Sequence, residues 1–186
     1  TKNSGFYNYI LPIIKKETGV HANVVAVGTG AAIKNAINCD GDVLLVHSRK
    51  REIKFMDEGF TTKRYNLMYN DFVLLGPSSD PENLKKINNI IDVFKLIASK
   101  RMLFASRGDN SGTDIKEKLI WEKAQIRPKM FSGQWYLETG SGMGSTINVA
   151  IGMGGYTISD RATWIKFGNK NDFKILHEGD KLLFNQ

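Results

Sequence analysis

Short β-branched runs alternate with amphipathic stretches along this chain, the pattern of sheet strands covered by helices. Phe6, Ile10, Leu11 and Ile14 recur at helical spacing, which predicts a helix over residues 4–18 with Gly19 as its stop. Pro12 falls inside that stretch and removes one backbone donor from it. The run Ala22-Asn23-Val24-Val25-Ala26-Val27 predicts a strand, and Gly28-Thr29-Gly30 turns from it into a helix over 31–37. A second strand over 42–46 leads through His47-Ser48 to a charged helix over 49–58. Residues 68–75 form a long strand pattern that ends at Gly76-Pro77.

The joint Pro77-Ser78-Ser79-Asp80-Pro81 is rich in turn residues and interrupts the pattern. Beyond it lie a helix over 91–99, a strand over 102–105, a polar loop over 106–113 and a helix running through Trp121. A glycine-rich turn over 140–145 opens an apolar helix over 146–151. A strand over 155–159, a helix over 161–167 and a strand over 173–176 follow. The order predicts an α/β fold with largely parallel sheets and two lobes. Lobe I takes residues 1–76 and 157–186, and lobe II takes 77–156. The crossings near Leu75-Gly76 and Thr157-Ser159 would then form a two-stranded hinge.

Composition narrows the function without naming it. The apolar runs, such as Phe72-Val73-Leu74-Leu75, have strand length, far below the roughly 18 residues of a membrane span. The single cysteine, Cys39, leaves no internal disulfide, and no Cys/His spacing suggests zinc. The 26 basic and 19 acidic residues give a net charge of +7, which favours anionic partners of any size. The basic residues are scattered, and no nucleic-acid-binding signature accompanies them. A small anion fits this balance better than a nucleic acid.

Chemistry gathers where a strand end meets a small or hydroxylated turn and then a helix. Such turns occur at Gly28-Thr29-Gly30-Ala31, at 106–113 and at 140–146. Helix N-termini carry unpaired N–H groups and partial positive charge, and glycine lets an anion approach them closely. In Ser106-Arg107-Gly108-Asp109-Asn110-Ser111-Gly112-Thr113, Arg107 adds a permanently charged planar fork for oxyanion oxygens. Two arrangements of Asp109 are open. Facing inward it would accept a proton from hydrogen phosphate; turned back onto the helix start it would leave a donor-only site, suited to a fully deprotonated dianion. Catalytic patterns are lacking: His21, His47 and His177 lie in separate segments, and there is neither a nucleophile elbow nor a phosphate-loop lysine motif.

Several segments, taken in order, resemble a known family. They are Val24-Val25-Ala26-Val27-Gly28-Thr29-Gly30-Ala31-Ala32, Asp42-Val43-Leu44-Leu45-Val46-His47 and Tyr69-Asn70-Asp71-Phe72-Val73-Leu74-Leu75-Gly76-Pro77. The arginine loop at 106–113, Gly142-Met143-Gly144-Ser145-Thr146 and Tyr156-Thr157-Ile158-Ser159-Asp160-Arg161-Ala162-Thr163-Trp164 complete the set. Together they resemble the tungstate-binding proteins of the bacterial TupA type. The resemblance implies a type II periplasmic binding protein fold and no catalysis or cofactor. The protein would be the substrate-binding component of an ABC importer, a monomer in the periplasm or a cell-surface lipoprotein, serving a membrane permease. Tungstate would be its ligand, held in a cleft between lobes; molybdate, sulfate or phosphate binding and an oxyanion-sensing module are the alternatives. The implied contacts are Thr29, Gly30, Ser106, Arg107, Ser111, Gly112, Thr113, Met143 and Gly144. The family's Thr-Thr-Thr-Ser motif and first strand are expected to precede Thr1, and lobe I to continue beyond Gln186.

Overall fold

The structure, a computed structural model, describes residues 5–185, so Ser4 at the start of the first predicted helix and Gln186 lie outside the described residues. The described chain forms two compact units, residues 5–69 and residues 70–185.

The first unit holds three helices, α1 (Phe6–Thr18), α2 (Thr29–Ile37) and α3 (Arg49–Asp57). Helix α1 continues through Pro12 and ends at Gly19, whose left-handed φ of 73° lets its N–H reach the Lys15 carbonyl. The strands predicted over 22–27 and 42–46 are not formed. These residues pair with no strand among the described residues, and Val24, Val25, Val27, Val43 and Leu45 are exposed. An extended segment becomes a strand only when a neighbour supplies its N–H and C=O partners, and no described residue from 5 to 69 belongs to a strand.

In the second unit β1 (Asn70–Pro77) is the central strand. It pairs antiparallel with β4 (Thr157–Asp160), with β5 (Phe173–His177) and, at its start, with β6 (Phe184–Asn185). Strand β2 (Phe104–Ser106) pairs parallel with β3 (Tyr136–Glu138), from Phe104↔Tyr136 to Ser106↔Glu138. The expectation of largely parallel sheets is therefore corrected. Strand β1 leaves in one direction and β4 returns beside it in the other, Leu75 opposite Thr157, and such neighbours must pair antiparallel. Residues 157–185, grouped with 1–76 in the sequence-based division, cluster here with 70–156. Their strands pair with β1, and Leu176 and Leu183 enter the same core as Phe94 and Trp121.

Four helices cover the strands: α4 (Ile90–Ser99), α5 (Gly112–Lys123), α6 (Met143–Gly152) and α7 (Arg161–Lys166). The apolar run in β1 explains the layering. Phe72 and Leu74 join one core with Phe94, Phe104, Trp121 and Tyr136, while Val73 and Leu75 join another with Ala105, Met143, Ile147 and Trp164. Alternate strand residues point to opposite faces, so a strand buried on both sides carries an unbroken apolar run. Each such side chain contributes roughly 1.5–3 kcal/mol on burial. This two-sided core holds the ends of β2 and β3 and the helices that follow them.

Candidate oxyanion site

Because β2 and β3 run parallel, Ser106 and Glu138 end side by side, and each strand passes through a loop into a helix start. Ligands of open α/β folds bind beyond such carboxyl ends. At α5, Ser111 caps the helix by accepting the Asp114 N–H at 3.3 Å, and the N–H groups of Gly112 and Thr113 have no protein acceptor among the described residues. At α6 the cap is Gly142, and the N–H groups of Met143 and Gly144 are likewise unpaired among the described residues. Thr139 ties the two starts together. Its N–H donates to the Ser106 carbonyl at 2.9 Å, and its hydroxyl lies 2.9 Å from that of Thr146 in the first turns of α6.

The loop between β2 and α5 is shaped by Asp114, a fully buried carboxylate. Its oxygens accept the Gly108 N–H at 3.2 Å, the Asn110 N–H at 3.0 Å and the Lys118 ammonium at 2.6 Å. Gly108 has a φ of +61°, and a Cβ there would lie 3.0 Å from the Glu138 Cβ, so a side chain at this position would be strained and would press on β3. Arg107 is mostly buried. Its Nη2 donates to Asp109 Oδ2 at 2.5 Å, whereas its buried Nε has no hydrogen-bond partner. Asp109 Oδ1 accepts the Ser111 N–H at 3.1 Å. Burial alone would raise the Asp109 carboxyl, but the Ser111 and Arg107 donors outweigh it and hold the pKa below the usual carboxylate value. Asp109 is therefore turned back onto the helix start, the second of the two arrangements open in the sequence, and it also pairs with Arg107.

Beneath this loop lies a polar network. The buried Glu117 accepts hydrogen bonds from the Tyr136 hydroxyl at 2.7 Å and the Trp121 indole at 3.0 Å. Burial pushes its pKa up to about 7 against those stabilising donors. The Ser106 hydroxyl is fully buried and close enough to stabilise Glu117 and Tyr136, although it closes no hydrogen bond of regular geometry.

Of the predicted contacts, Arg107, Ser111, Gly112 and Thr113 come together on one loop and helix start. Met143 and Gly144 begin the neighbouring helix; the Met143 side chain belongs to the core, so its backbone N–H is the group on offer. The Ser106 side chain turns inward to Glu117. Thr29 and Gly30 begin α2 in the first unit, behind Gly28, which supplies no side-chain cap. Asp114, Thr139 and Thr146 were missed. Asp114 had a readable signal, because Ser111-Gly112-Thr113-Asp114 has the spacing of a capping box. Thr139 had none, since its role follows from the pairing of β2 with β3.

A PBP superfamily domain model matches residues 1–185. The chain is 42% identical over 188 residues to the tungstate-binding protein TupA of Peptoclostridium acidaminophilum. In a solved structure of TupA from Desulfovibrio alaskensis G20, 46% identity extends over 99% of this chain and 74% of that one, with a TM-score of 0.88. The chain belongs to the TupA family of the PBP superfamily. It also matches the structure of the tungstate ABC transporter from Geobacter sulfurreducens, at 43% identity and a TM-score of 0.82 over 99% of this chain and 77% of that one. Its fold class is accordingly α/β, the type II periplasmic binding protein fold. The chain spans 65% of the length of the Peptoclostridium relative, and 52% of another matched protein from Haloferax volcanii. As a TupA-family chain, it carries the Arg107 loop and both helix starts within its second compact unit.

Proposed function

We propose that this chain is the anion-capturing part of an extracytoplasmic binding protein of an ABC importer, and that its ligand is tungstate. The observation that carries the reading is the Arg107 loop. A guanidinium with a buried, unpartnered Nε lies five and six residues before the N–H groups of Gly112 and Thr113, which are unpaired among the described residues. Charge-assisted donors of this kind favour an oxyanion over water. Both oxygens of Asp109 are already engaged by donors of their own loop. The site therefore presents donors, which suits a fully deprotonated dianion and disfavours hydrogen phosphate. Tungsten is favoured by the names of the matched relatives, since molybdate has the same charge and tetrahedral shape.

The same proposal gives the protein no catalytic step. The anion is held without covalent change and passed to a membrane permease by a monomeric protein in the periplasm or anchored at the cell surface. Strands β1 and β4, paired at Leu75 and Thr157, are the proposed two-stranded connection between lobes. Thr29 and Gly30 are proposed as further donors. Calorimetric titration of the full-length protein with tungstate, molybdate, sulfate and phosphate tests the reading. Tight binding of tungstate with weak binding of phosphate is expected; equal affinity for the two would remove the donor-only site.

A further inference from the structure

Several carboxylates lie on or beside the Arg107 loop. Asp109 and Asp114 belong to the loop and the helix it opens, Glu138 underlies Gly108 at the end of β3, and Glu117 sits one helical turn beyond Thr113. An anion that enters this loop meets N–H dipoles and Arg107, but also the field of Asp109, Asp114 and Glu138; Glu117, its pKa raised to about 7 by burial, adds less. Asp114 is the acid that the loop needs, because its oxygens hold the Gly108 and Asn110 N–H groups.

Lys118 answers that charge. It lies one turn along α5 from Asp114, and its ammonium is 2.6 Å from Oδ2. It bonds to no backbone group of the loop among the described residues, and its side chain is 47% exposed. The Asp114 hydrogen bond raises its pKa despite some desolvation, with Glu138 and Glu117 adding to the effect, so it stays charged at neutral pH.

We propose that Lys118 is a specificity-determining residue which, by neutralising Asp114, sets how strongly the site favours doubly charged over singly charged oxyanions. The inference rests on the oxyanion reading of the Arg107 loop and adds a residue that touches no ligand. Coulomb energy scales with ligand charge, so losing one positive charge at a fixed distance costs a dianion twice what it costs a monoanion. A purely structural role for Lys118 would weaken both kinds of anion by the same factor.

Tungstate and perrhenate separate these cases, being tetrahedral oxyanions of charge −2 and −1. Their affinities are measured by titration and by competition on full-length wild-type, Lys118→Gln and Lys118→Arg proteins. Lys118→Gln is expected to weaken tungstate about tenfold and perrhenate about threefold, and Lys118→Arg to restore both to within about twofold of wild type. Equal factors for the two anions, or no loss for either, would overturn the inference and leave the oxyanion site standing. A wild-type protein that binds neither anion would instead remove the site reading, and this inference with it.

Discussion

The helix start at Thr29 and the helix start at Gly112 both follow a small, hydroxyl-bearing turn, yet they are supported very differently. Helix α2 begins behind a glycine with no side-chain cap and buries none of its residues. Helix α5 begins behind Ser111, which caps Asp114, and buries Thr113, Asp114, Glu117, Ile120 and Trp121. The loop before α5 is further locked by the Asp114 acceptors and by contact with Glu138. Equal turn chemistry thus yields a fixed donor array only where the neighbouring side chains enforce the geometry, which is what strong anion binding requires.

The largest expected effect tests whether the α5 loop is the seat of binding. Arg107→Ala should weaken tungstate binding tenfold or more, since it removes a charge-assisted contact worth roughly 1.5–3 kcal/mol. Titration of the variant against wild type measures this; unchanged affinity would mean that the α5 loop holds no anion.

The network beneath the loop gives the second effect, in stability and not in binding. Burial raises the Glu117 pKa from the ordinary 4.5 to about 7, so the native state retains its proton across that interval. Its contribution is complete below pH 4.5 and declines as the pH rises through about 7. Glu117→Gln should remove that decline, a change on the order of 3 kcal/mol between the ends of the window. Urea unfolding of both proteins from pH 4.5 to 8 measures it, and parallel pH profiles would mean that Glu117 is ionised throughout.

The two glycines sharpen the contrast most directly. Gly108→Ala forces a left-handed residue into contact with Glu138 and should destabilise by roughly 1–2 kcal/mol. Gly30→Ala lies in the first turn of α2, where the nearest atom is Arg51 Nη1 at 3.8 Å. It should stabilise by up to about 0.5–1 kcal/mol. Thermal unfolding of the two variants should shift in opposite directions; a shared loss would mean that the α2 turn is as constrained as the α5 loop.

Much of the second unit was legible from residue patterns. The unbroken apolar run of β1, the spacing of Ile90, Val93, Phe94 and Ile97 on α4, and the Ser111 start of α5 all carry their structure in local spacing. The strands over 22–27 and 42–46 were predicted from equally good patterns and did not form. Apolar alternation records a tendency to extend, whereas a strand also needs a neighbour, which no local pattern supplies. Strand β3 was expected only as a strand leading into the turn over 140–146, without bounds, and the Thr139 link went unseen, since each is defined by its partners.

By itself the sequence determined the α/β class, the helix starts and the presence of an arginine among small, hydroxylated residues, because each depends on residues a few positions apart. It also carried the family, through segments spread along the whole chain. Tertiary structure alone decided that β1 pairs antiparallel with three strands and that Ser106 faces the core. It also decided that Asp109 is spent on Arg107 and Ser111, and that Asp114 and Lys118 form the charged support of the loop. Those outcomes depend on which groups meet in space, and a hydrogen bond or ion pair exists only once both partners have been brought together.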